Sequence, residues 1–385
     1  MNAQSLLSAA DQFFLWTVPF LLVLGVVVIV HELGHFLAAR ALGITVETFS
    51  VGFGPEIAGF HDRSGTRWRI AWIPLGGYVK FKGDETVASL PSREKLETLT
   101  AAERAGNFHT SALWRRTLIV LAGPMANFLL CIVIFTGWFM STGIVYREAR
   151  ITCVQPNSPA SQAGILAGDK VMAVSGSPIA DFDDFRRSVI LNARSEINLL
   201  IDRGGQSVML HAVPQLTERE CVGQLGVVGP GPQDEKIRRL GFAQALRESG
   251  EKTWLNIEMP FRFLGQLFRG NACSTQLGGP AKIAEVSKDA ASAGIIYLIP
   301  LIAFISVSVG LFNLFPIPIL DGGHLLFYGA EAILGRPLSQ RAQEIGFQIG
   351  FTSLLMLMIF VTWNNVSELA HKETTVVKAD TVCHG

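Results

Sequence analysis

Two histidines and a glutamate lie close together near the end of a long apolar stretch, in the segment His31-Glu32-Leu33-Gly34-His35. Residues four positions apart share one face of a helix, so both imidazoles can reach a single metal ion. This H-E-x-x-H pattern is typical of metalloproteases, in which the histidines bind zinc and the glutamate is the general base. A hydrolytic zinc site also needs a third protein ligand and an open position for water. The motif therefore predicts a zinc site that must be completed from elsewhere in the chain.

The residues around the motif place it at membrane depth. The run 13–30 is apolar and uncharged, and the apolar pattern continues over 36–39. Ionisable groups inside a membrane are costly and are usually functional. Two histidines at this spacing also occur by chance as ordinary core residues. Glu32 between them, in a lipid-like stretch, favours the zinc site over that interpretation.

The clearest candidate for the third ligand is Asp321, in the segment 313–324, N-L-F-P-I-P-I-L-D-G-G-H. The two prolines prevent a regular helix, so the freed backbone carbonyls need partners inside the protein or in a wet cavity. The two glycines permit a sharp change of direction. Two other interpretations stay open: that Asp321 only caps the following helix from the cytoplasmic interface, or that His324 is the ligand.

Glu32 and Asn313 complete the predicted chemistry. Zinc lowers the pKa of a bound water toward about 7. Glu32 would accept the proton of that water as it attacks a peptide carbonyl, and would pass it to the departing amine. Asn313 is placed to hold the substrate backbone or an oxyanion. The alternative for Asn313 is that it only caps backbone groups freed by the prolines.

The composition indicates an integral membrane protein with some soluble mass. Of 385 residues, 49% are hydrophobic and 17% are charged, and the charged share lies below the usual quarter. The net charge of zero gives no indication of nucleic acid binding. A membrane span takes about 20 apolar residues. Four stretches are long enough, at 13–41, 117–140, 294–320 and 345–363.

The distribution of Lys and Arg predicts the orientation. Neither residue precedes Arg40, so the first apolar stretch lacks the basic region of a cleavable signal peptide. Eleven occur from Arg40 to Arg116, and two more flank the connection between the third and fourth stretches. The positive-inside rule therefore places loops 41–116 and 326–344 in the cytoplasm. Both termini and the segment 141–293 would then lie outside.

The cytoplasmic loop contains a strand-rich region. Residues 44–83 are predicted to form a hairpin that turns near 60–65. This region is either an ordinary cytoplasmic sheet or a loop that dips into the membrane. Re-entrant backbone is tolerated only where protein or a cavity shields its polar groups.

The outer segment divides into two parts. Residues 145–216 are predicted to form a small α/β module, with a helix capped by Asp181 and a hairpin over 197–210. Within 217–293, the basic and aromatic stretch 236–269 indicates amphipathic helices, either on the membrane surface or packed on the outer module. Pro260 is predicted to break this stretch in two.

The cysteines are divided between a predicted span and the predicted outer segment. Cys131 lies in a span, where a packing role is expected. The predicted outer side is oxidising, which allows a disulfide between Cys153 and Cys221 across the small module.

The chain resembles the site-two protease family of zinc intramembrane metalloproteases, in its bacterial, regulator of sigma-E protease-like branch. The segment 31–35 matches the first motif of the family, and 313–324 matches the second. Further matches are G-P-M-A-N-F at 123–128, V-G-F-G-P at 51–55 and P-L-G-G-Y at 74–78. The stretch 158–169 resembles the PDZ module of the bacterial branch. Many Gram-negative relatives carry two such modules in tandem, whereas this chain has one.

The resemblance implies a Zn2+ site with ligands His31, His35 and Asp321, and Glu32 as the catalytic base. The re-entrant β region of the family is thought to add the unwound substrate as an extra strand, through main-chain recognition at an exposed edge. The substrate-binding residues expected here are Asn313, Gly76 and Gly77.

We therefore expect an α-helical polytopic membrane protein with four transmembrane helices, a membrane-associated β region and one extracytoplasmic PDZ-like α/β domain. The expected order is the first span with H-E-x-x-H, the β region and connector, the second span, the PDZ-like domain, the interfacial region, the broken third span and the fourth span. Their boundaries are 1–41, 42–116, 117–140, 145–216, 217–293, 294–325 and 345–363.

The expected function is zinc-dependent intramembrane cleavage of single-span membrane proteins in the bacterial inner membrane. Substrates would be anti-sigma factors, in regulated intramembrane proteolysis, or remnant signal peptides. Expected partners also include the lipid bilayer and an extracytoplasmic peptide or protein at the PDZ-like domain. The alternative is a non-catalytic, zinc-containing receptor or scaffold, against which Glu32 argues because a structural zinc site needs no general base. A zinc transporter is disfavoured because the second and fourth stretches carry neither charge nor histidine.

Overall fold

The computed structural model describes residues 3–84, 99–217, 222–271 and 279–372. The chain forms two compact units. The first takes in the described parts of Met1–Thr136, Glu248–Ile257 and Gly279–Thr362, and the second those of Gly137–Arg247, Glu258–Gly278 and Trp363–Gly385.

Helices make up most of the first unit and connect it to the second. In chain order they are α1 (Ala3–Ala41), α2 (Ala101–Arg104), α3 (Leu113–Thr142), α4 (Pro159–Gln162), α5 (Phe182–Leu191), α6 (Phe242–Phe268), α7 (Pro280–Ala293), α8 (Leu298–Asn313), α9 (Asp321–Leu334) and α10 (Gln340–Lys372).

The strands are short, apart from the first two and the hairpin of the second unit. They are β1 (Val46–His61), β2 (Arg67–Phe81), β3 (Ile144–Tyr146), β4 (Cys153–Val154), β5 (Lys170–Val174), β6 (Ser177–Pro178), β7 (Ile197–Arg203), β8 (Gln206–Ala212), β9 (Gln215–Leu216), β10 (Gly223–Gln224), β11 (Val227–Val228) and β12 (Lys236–Arg238).

Four helices in the described part of the chain are long and apolar enough to cross a membrane. They cover Phe14–Ala41, Leu113–Thr142, Ile295–Asn313 and Gln340–Trp363. These match the four predicted stretches, with ends that differ by a few residues. Many of their apolar side chains stay exposed, such as Leu129 and Ile359, as is expected where lipid replaces water around a helix.

Small residues let α1 and α3 approach closely. A Cβ atom added at Gly34 would lie 2.4 Å from the carbonyl oxygen of Ala122 and 2.8 Å from Cβ of Ala126. Helices in membranes associate through such contacts, since apolar burial gives no driving force there. Closer to the start of α1, Val23 and Val27 pack on Leu298 and neighbouring side chains of α8. The helix that carries both histidines is therefore held by two neighbours.

The third span is broken, as predicted. Helix α8 ends at Asn313, a short non-helical segment follows, and α9 begins at Asp321. The predicted role of the glycines was wrong, because Gly322 and Gly323 lie in the first turn of α9 and do not turn the chain. Their value is close packing: a Cβ at Gly322 would lie 2.2 Å from the carbonyl oxygen of Phe315, and one at Gly323 would lie 2.3 Å from Cα of Pro318.

The hairpin of β1 and β2 folds back on itself. The first half of β1 pairs with both ends of β2, so that Phe49 lies opposite Val79 on one side and Trp68 on the other. The second half of β1 pairs only with the start of β2, as His61 does with Arg67. Two bent strands thus form four antiparallel rows. The outer row nearest α1 is the end of β2.

The second unit contains the predicted α/β module. Strands β6, β5, β7 and β8 form one antiparallel sheet in that order. Helix α5 begins after Asp181, whose side chain accepts a hydrogen bond from the backbone amide of Asp184. Phe185 and Val189 of this helix join the buried core with residues such as Leu199 and Ile201 of β7. The predicted helix start and hairpin are confirmed.

The predicted end of this module at 216 was too early. Strand β11 pairs with β4, and β12 pairs with β3. Leu225, which is 1% exposed, belongs to the same buried core. Strands of two or three residues give no alternating pattern in the sequence, so this return of the chain could not be recognised there.

The prediction that Pro260 breaks the amphipathic stretch was wrong. Helix α6 continues through Pro260 from Phe242 to Phe268. A proline removes one backbone hydrogen bond, and the remaining turns and packing hold the helix together. In the first unit, Thr136 of α3 donates to the Ser249 hydroxyl at 3.1 Å, and Cys131 lies 3.3 Å from the Thr253 hydroxyl. The middle of α6 is thus fixed to a candidate span.

The cysteines agree with the prediction as far as the structure describes them. Cys131 is a free, buried thiol. Cys153 is disulfide-bonded, and Cys221 lies outside the described residues. The pairing of these two cysteines stays a prediction.

Candidate metal centre

Three possible ligand atoms from two distant parts of the chain meet in the first unit. Oδ2 of Asp321 lies 3.0 Å from Nε2 of His31 and 3.4 Å from Nε2 of His35. The two Nε2 atoms are 3.2 Å apart. Both histidines are more than nine-tenths buried. The helical spacing of His31 and His35 and the start of α9 after the proline break bring these groups together.

Helix α3 contacts the far side of both imidazoles. Nδ1 of His35 lies 2.8 Å from the carbonyl oxygen of Ile119. A proton on Nδ1 can be donated to that oxygen, which leaves the lone pair of Nε2 free for a metal. Nδ1 of His31 lies 3.2 Å from the side-chain amide of Asn127. Helix α3, which carries none of the predicted ligands, therefore orients both rings.

The donor set fits a zinc ion. Oδ2 of Asp321 is buried and makes no hydrogen bond, although both imidazoles face it. A buried carboxylate oxygen without a partner is costly, and a cation held between it and the two Nε2 atoms would remove that cost. Two imidazoles and one carboxylate are a ligand set found in catalytic zinc sites. In the described residues, these three form the only group of this kind.

Gly123 of α3 leaves the space that this arrangement needs. A Cβ atom added there would lie 2.3 Å from Nε2 of His35 and 2.9 Å from Nε2 of His31. Any larger residue would therefore displace these two Nε2 atoms.

Glu32 lies between this centre and the end of β2. A Cβ atom added at Gly77 would be 3.3 Å from Cγ of Glu32. The backbone amide of Val79 hydrogen-bonds to the Glu32 carboxylate, which also interacts electrostatically with His35, His31 and Asp321. A carboxylate in this position can exchange a proton with a water molecule at the centre.

An ion pair fixes the helix that carries Asp321. The guanidinium of Arg116 in α3 makes two hydrogen bonds to the Glu331 carboxylate in α9, at 2.6 and 3.2 Å. The same guanidinium lies over the ring of Tyr328, 5.0 Å from its centroid. Paired hydrogen bonds of this kind have a defined geometry. They therefore hold α9 against α3 near the centre.

Three residues considered at the sequence level are placed differently. Asn313 donates from its side-chain amide to the carbonyl oxygen of Val309 at 2.9 Å. A Cβ atom added at Gly76 would lie 2.5 Å from the ring of Phe53. His324 packs its ring on Phe347 and Tyr328 and is not part of the ligand group.

Sequence reasoning missed the contribution of α3. The segment 123–128 was matched as a motif, yet no role followed from it for Gly123 or Asn127. A backbone carbonyl such as that of Ile119 leaves no signal in a sequence. Only the packing of α1 on α3 identifies these groups.

Comparison with known proteins gives the family. The family model described as peptidase family M50 matches residues 19–357. A Rhizobium meliloti protein that carries a zinc metalloprotease name is 42% identical over 363 residues, which cover 92% of this chain and 97% of that protein. A similarly named protein of Mesorhizobium japonicum is 45% identical, with 91% and 98% covered. The metalloprotease MmpA of Caulobacter vibrioides is 36% identical, with 92% and 96% covered.

Among solved structures, the PDZ domain of the SdrC-like protein from Listeria monocytogenes is similar to part of the chain. It covers 22% of this chain and 90% of that domain, with 13% sequence identity and a TM-score of 0.20. That score is too low to bear on the fold. The family match and the relatives span nearly the whole sequence, and four helices are apolar enough to cross a membrane. The chain belongs to peptidase family M50, the site-2 proteases, and is a zinc-dependent metalloprotease of the multi-pass membrane type.

Proposed function

We propose that this enzyme cleaves single-span membrane proteins within the bacterial inner membrane. The observation that carries the proposal is the meeting of His31, His35 and Asp321 among helices apolar enough to span a bilayer. Anti-sigma factors, cut in regulated intramembrane proteolysis, and remnant signal peptides are the substrate classes. His31, His35 and Asp321 hold the metal, and Glu32 is the catalytic base.

Each residue has a defined part in the chemistry. Bound zinc supplies Lewis acidity, which polarises the scissile carbonyl and makes a water molecule more acidic. Glu32 takes the proton of the attacking water and delivers it to the departing amine. The amide of Val79 holds the Glu32 carboxylate in place until the proton moves. The apolar helices limit the access of further water.

The end of β2 is the proposed binding edge for the substrate. Gly77, Tyr78 and Val79 pair with β1 on one side, and no other described strand pairs with them. Their other side faces α1 at Glu32. A transmembrane helix hides its carbonyls in its own hydrogen bonds, so it must unwind before cleavage. Adding the unwound segment to this edge replaces part of the lost hydrogen bonding. Gly76 and Asn313 flank the bound segment.

The hairpin is proposed to enter the membrane. Large apolar side chains remain exposed on it, including Ile57, Phe60, Ile70 and Trp72, and Trp72 is 69% exposed. Exposed apolar groups in such number favour contact with lipid over water. With the positive-inside rule, the loops that flank the hairpin are cytoplasmic. Both termini and the PDZ-like unit are then extracytoplasmic, where that unit binds a peptide or protein.

A proteolysis assay with purified protein tests the function. In detergent, with a single-span reporter, Glu32→Gln is expected to lose nearly all cleavage, because an amide cannot accept the proton. A zinc chelator should have the same effect on the wild type. Glu47→Gln is the matched control, since Glu47 is exposed and paired with Lys80, and should cleave normally. Wild-type rates in Glu32→Gln would refute the mechanism, whereas no cleavage by the wild type itself would favour a receptor or scaffold.

Metal content tests the ligand set. Asp321→Ala is expected to lose most of its bound zinc, because one of three protein ligands is removed. His324→Ala should retain it, since that ring packs on Phe347. Elemental analysis of the purified variants gives the ratio of zinc to protein. Full occupancy in Asp321→Ala would assign the third ligand elsewhere.

A further inference from the structure

Asn127 of α3 is fully buried beside a proposed zinc ligand. Its side-chain nitrogen lies 3.2 Å from Nδ1 of His31. Its side-chain oxygen is buried and has no hydrogen-bond partner among the residues that the structure describes. Its backbone carbonyl accepts a hydrogen bond from the buried Ser306 hydroxyl of α8 at 2.9 Å. Asn127 thus links α3 to the helix on either side of it.

The amide orientation decides which nitrogen of His31 carries the proton. If the Asn127 nitrogen donates to Nδ1, the proton of a neutral ring must be on Nε2. That proton would then point at the group formed by Nε2 of His35 and Oδ2 of Asp321. Such a tautomer cannot offer Nε2 to a metal. The nitrogen and oxygen of a carboxamide have nearly the same shape, and exchanging them reverses the hydrogen bond.

We infer that Asn127 is a positioning residue whose side-chain oxygen accepts a hydrogen bond from Nδ1–H of His31. This fixes the tautomer and the ring plane, so that the lone pair of Nε2 faces the metal centre. The inference rests on the proposed ligand role of His31. Asn127 acts through that ring and does not touch the metal.

Helix α3 orients both imidazoles in the same way, by placing a carbonyl oxygen beside Nδ1 of each ring. Ile119 offers a backbone carbonyl to His35 at 2.8 Å, and Asn127 offers a side-chain carbonyl to His31. The two positions are eight residues apart, about two helical turns, and Gly123 lies midway. The acceptors therefore flank the gap in which the two Nε2 atoms meet.

Zinc affinity separates this role from simple packing. The full-length variants Asn127→Leu and Asn127→Asp are compared in detergent by competition with a chromophoric chelator. Asn127→Leu keeps the size but removes the acceptor, and should bind zinc roughly 10- to 100-fold more weakly. Asn127→Asp keeps an acceptor and should stay within about threefold of the wild type or bind more tightly. The absorption bands of the cobalt-substituted protein should shift in Asn127→Leu only.

Matched controls define the outcomes. Thr136→Val also removes a buried polar group from α3. Its hydroxyl contacts Ser249 and not a histidine, so this variant should leave the zinc affinity unchanged. If Asn127→Leu does not fold, Asn127→Ala removes the acceptor without adding apolar bulk. Wild-type affinity in Asn127→Leu or Asn127→Ala would overturn the inference, as would equal losses in Asn127→Leu and Asn127→Asp. Unchanged zinc binding in His31→Ala would instead overturn the proposed ligand set.

Discussion

Gly123 is the residue that most directly limits the shape of the metal centre. It has an ordinary helical conformation, so its importance comes from space alone. The atoms that a side chain would meet are the Nε2 nitrogens of His35 and His31. A methyl group would push these two atoms aside and leave the helix backbone undisturbed.

Gly123→Ala is therefore expected to reduce zinc binding and proteolysis more than tenfold, while the protein still folds. Alanine is a better helix former than glycine, so the helix itself should not be weakened. The ratio of zinc to protein and the melting temperature in detergent measure the two effects separately.

Gly137 is the matched control for this substitution. It lies in the same helix, and an added Cβ would meet nothing within 4 Å. Gly137→Ala should leave zinc content and activity unchanged. If the two variants lose zinc equally, the effect comes from the helix and not from contact with the histidines.

At the scale of elements, a buried ion pair joins two parts of the second unit. Asp169, which precedes β5, is 1% exposed. Its carboxylate accepts two hydrogen bonds from Arg203 at the end of β7, both at 2.8 Å, and one from the amide of Leu166 at 2.9 Å. Burial alone would raise the pKa of Asp169. The hydrogen bonds and the charge of Arg203 outweigh burial and hold the pKa below its ordinary value of 3.8.

The sign of this shift predicts how the unit responds to acid. A group whose pKa is lower in the folded state stabilises that state above its unfolded pKa. The contribution is therefore present above about pH 4 and is lost as the pH falls through the lower folded pKa. In the full-length protein, the hydrogen-exchange protection factors of β5 and β7, which are corrected for the intrinsic exchange rate at each pH, should fall below pH 4. A pH-independent opening of these strands would contradict the assignment.

Arg203→Gln should remove this dependence along with the stability that it provides. It leaves a buried carboxylate without its main partner, so exchange in β5 and β7 at neutral pH should be roughly tenfold faster or more. Arg150→Gln is a control, because its guanidinium hydrogen-bonds to the backbone carbonyl of Gly168 and, in the described part of the chain, to no carboxylate. Equal effects in both variants would indicate a general loss of surface charge.

The elements differ in how far the sequence predicted them. The four spans, the proline break before Asp321 and the hairpin over 197–210 carry strong local signals and were predicted. The pairing of β11 and β12 with earlier strands of the second unit was not predicted, because each strand is too short to show an alternating pattern. The continuity of α6 through Pro260 was not predicted either, because the local rule for proline takes no account of the rest of the helix or of its packing.

For the whole molecule, the sequence predicted that His31, His35 and Asp321 come together, as the structure shows, but not which groups orient the two imidazoles. The two motifs are about 290 residues apart. Each supplies only some of the three ligands that a hydrolytic zinc site needs, so the sequence indicated that they are in contact. The supporting groups on α3 have no such chemical requirement. Gly123 could be any packing glycine and Asn127 any buried amide until the helices are brought together.

The requirement for unwinding gives a prediction for the whole enzyme acting on a substrate helix. Reporters with Gly or Asn near the cleavage site should be cleaved several-fold faster than reporters with Leu, because glycine costs a helix about 1 kcal/mol relative to alanine. Initial rates on otherwise identical single-span reporters provide the measurement. Both reporters should bind comparably, so the difference should appear in kcat. Faster cleavage of the Leu-rich reporter would show that unwinding does not limit the reaction.

The support of both imidazoles by α3 also bears on the order in which a nascent chain becomes able to hold metal. Synthesis runs at about 5 to 20 residues per second. Asn127 follows His31 by 96 residues, a delay of roughly 5 to 20 seconds, and Asp321 follows much later. Until α3 is inserted beside α1, the histidine rings are free to rotate and hold no fixed tautomer. With His31, His35 and Asp321 as the proposed ligands, we expect the emerging protein to bind stray cations poorly and to take up zinc only when its membrane assembly is complete.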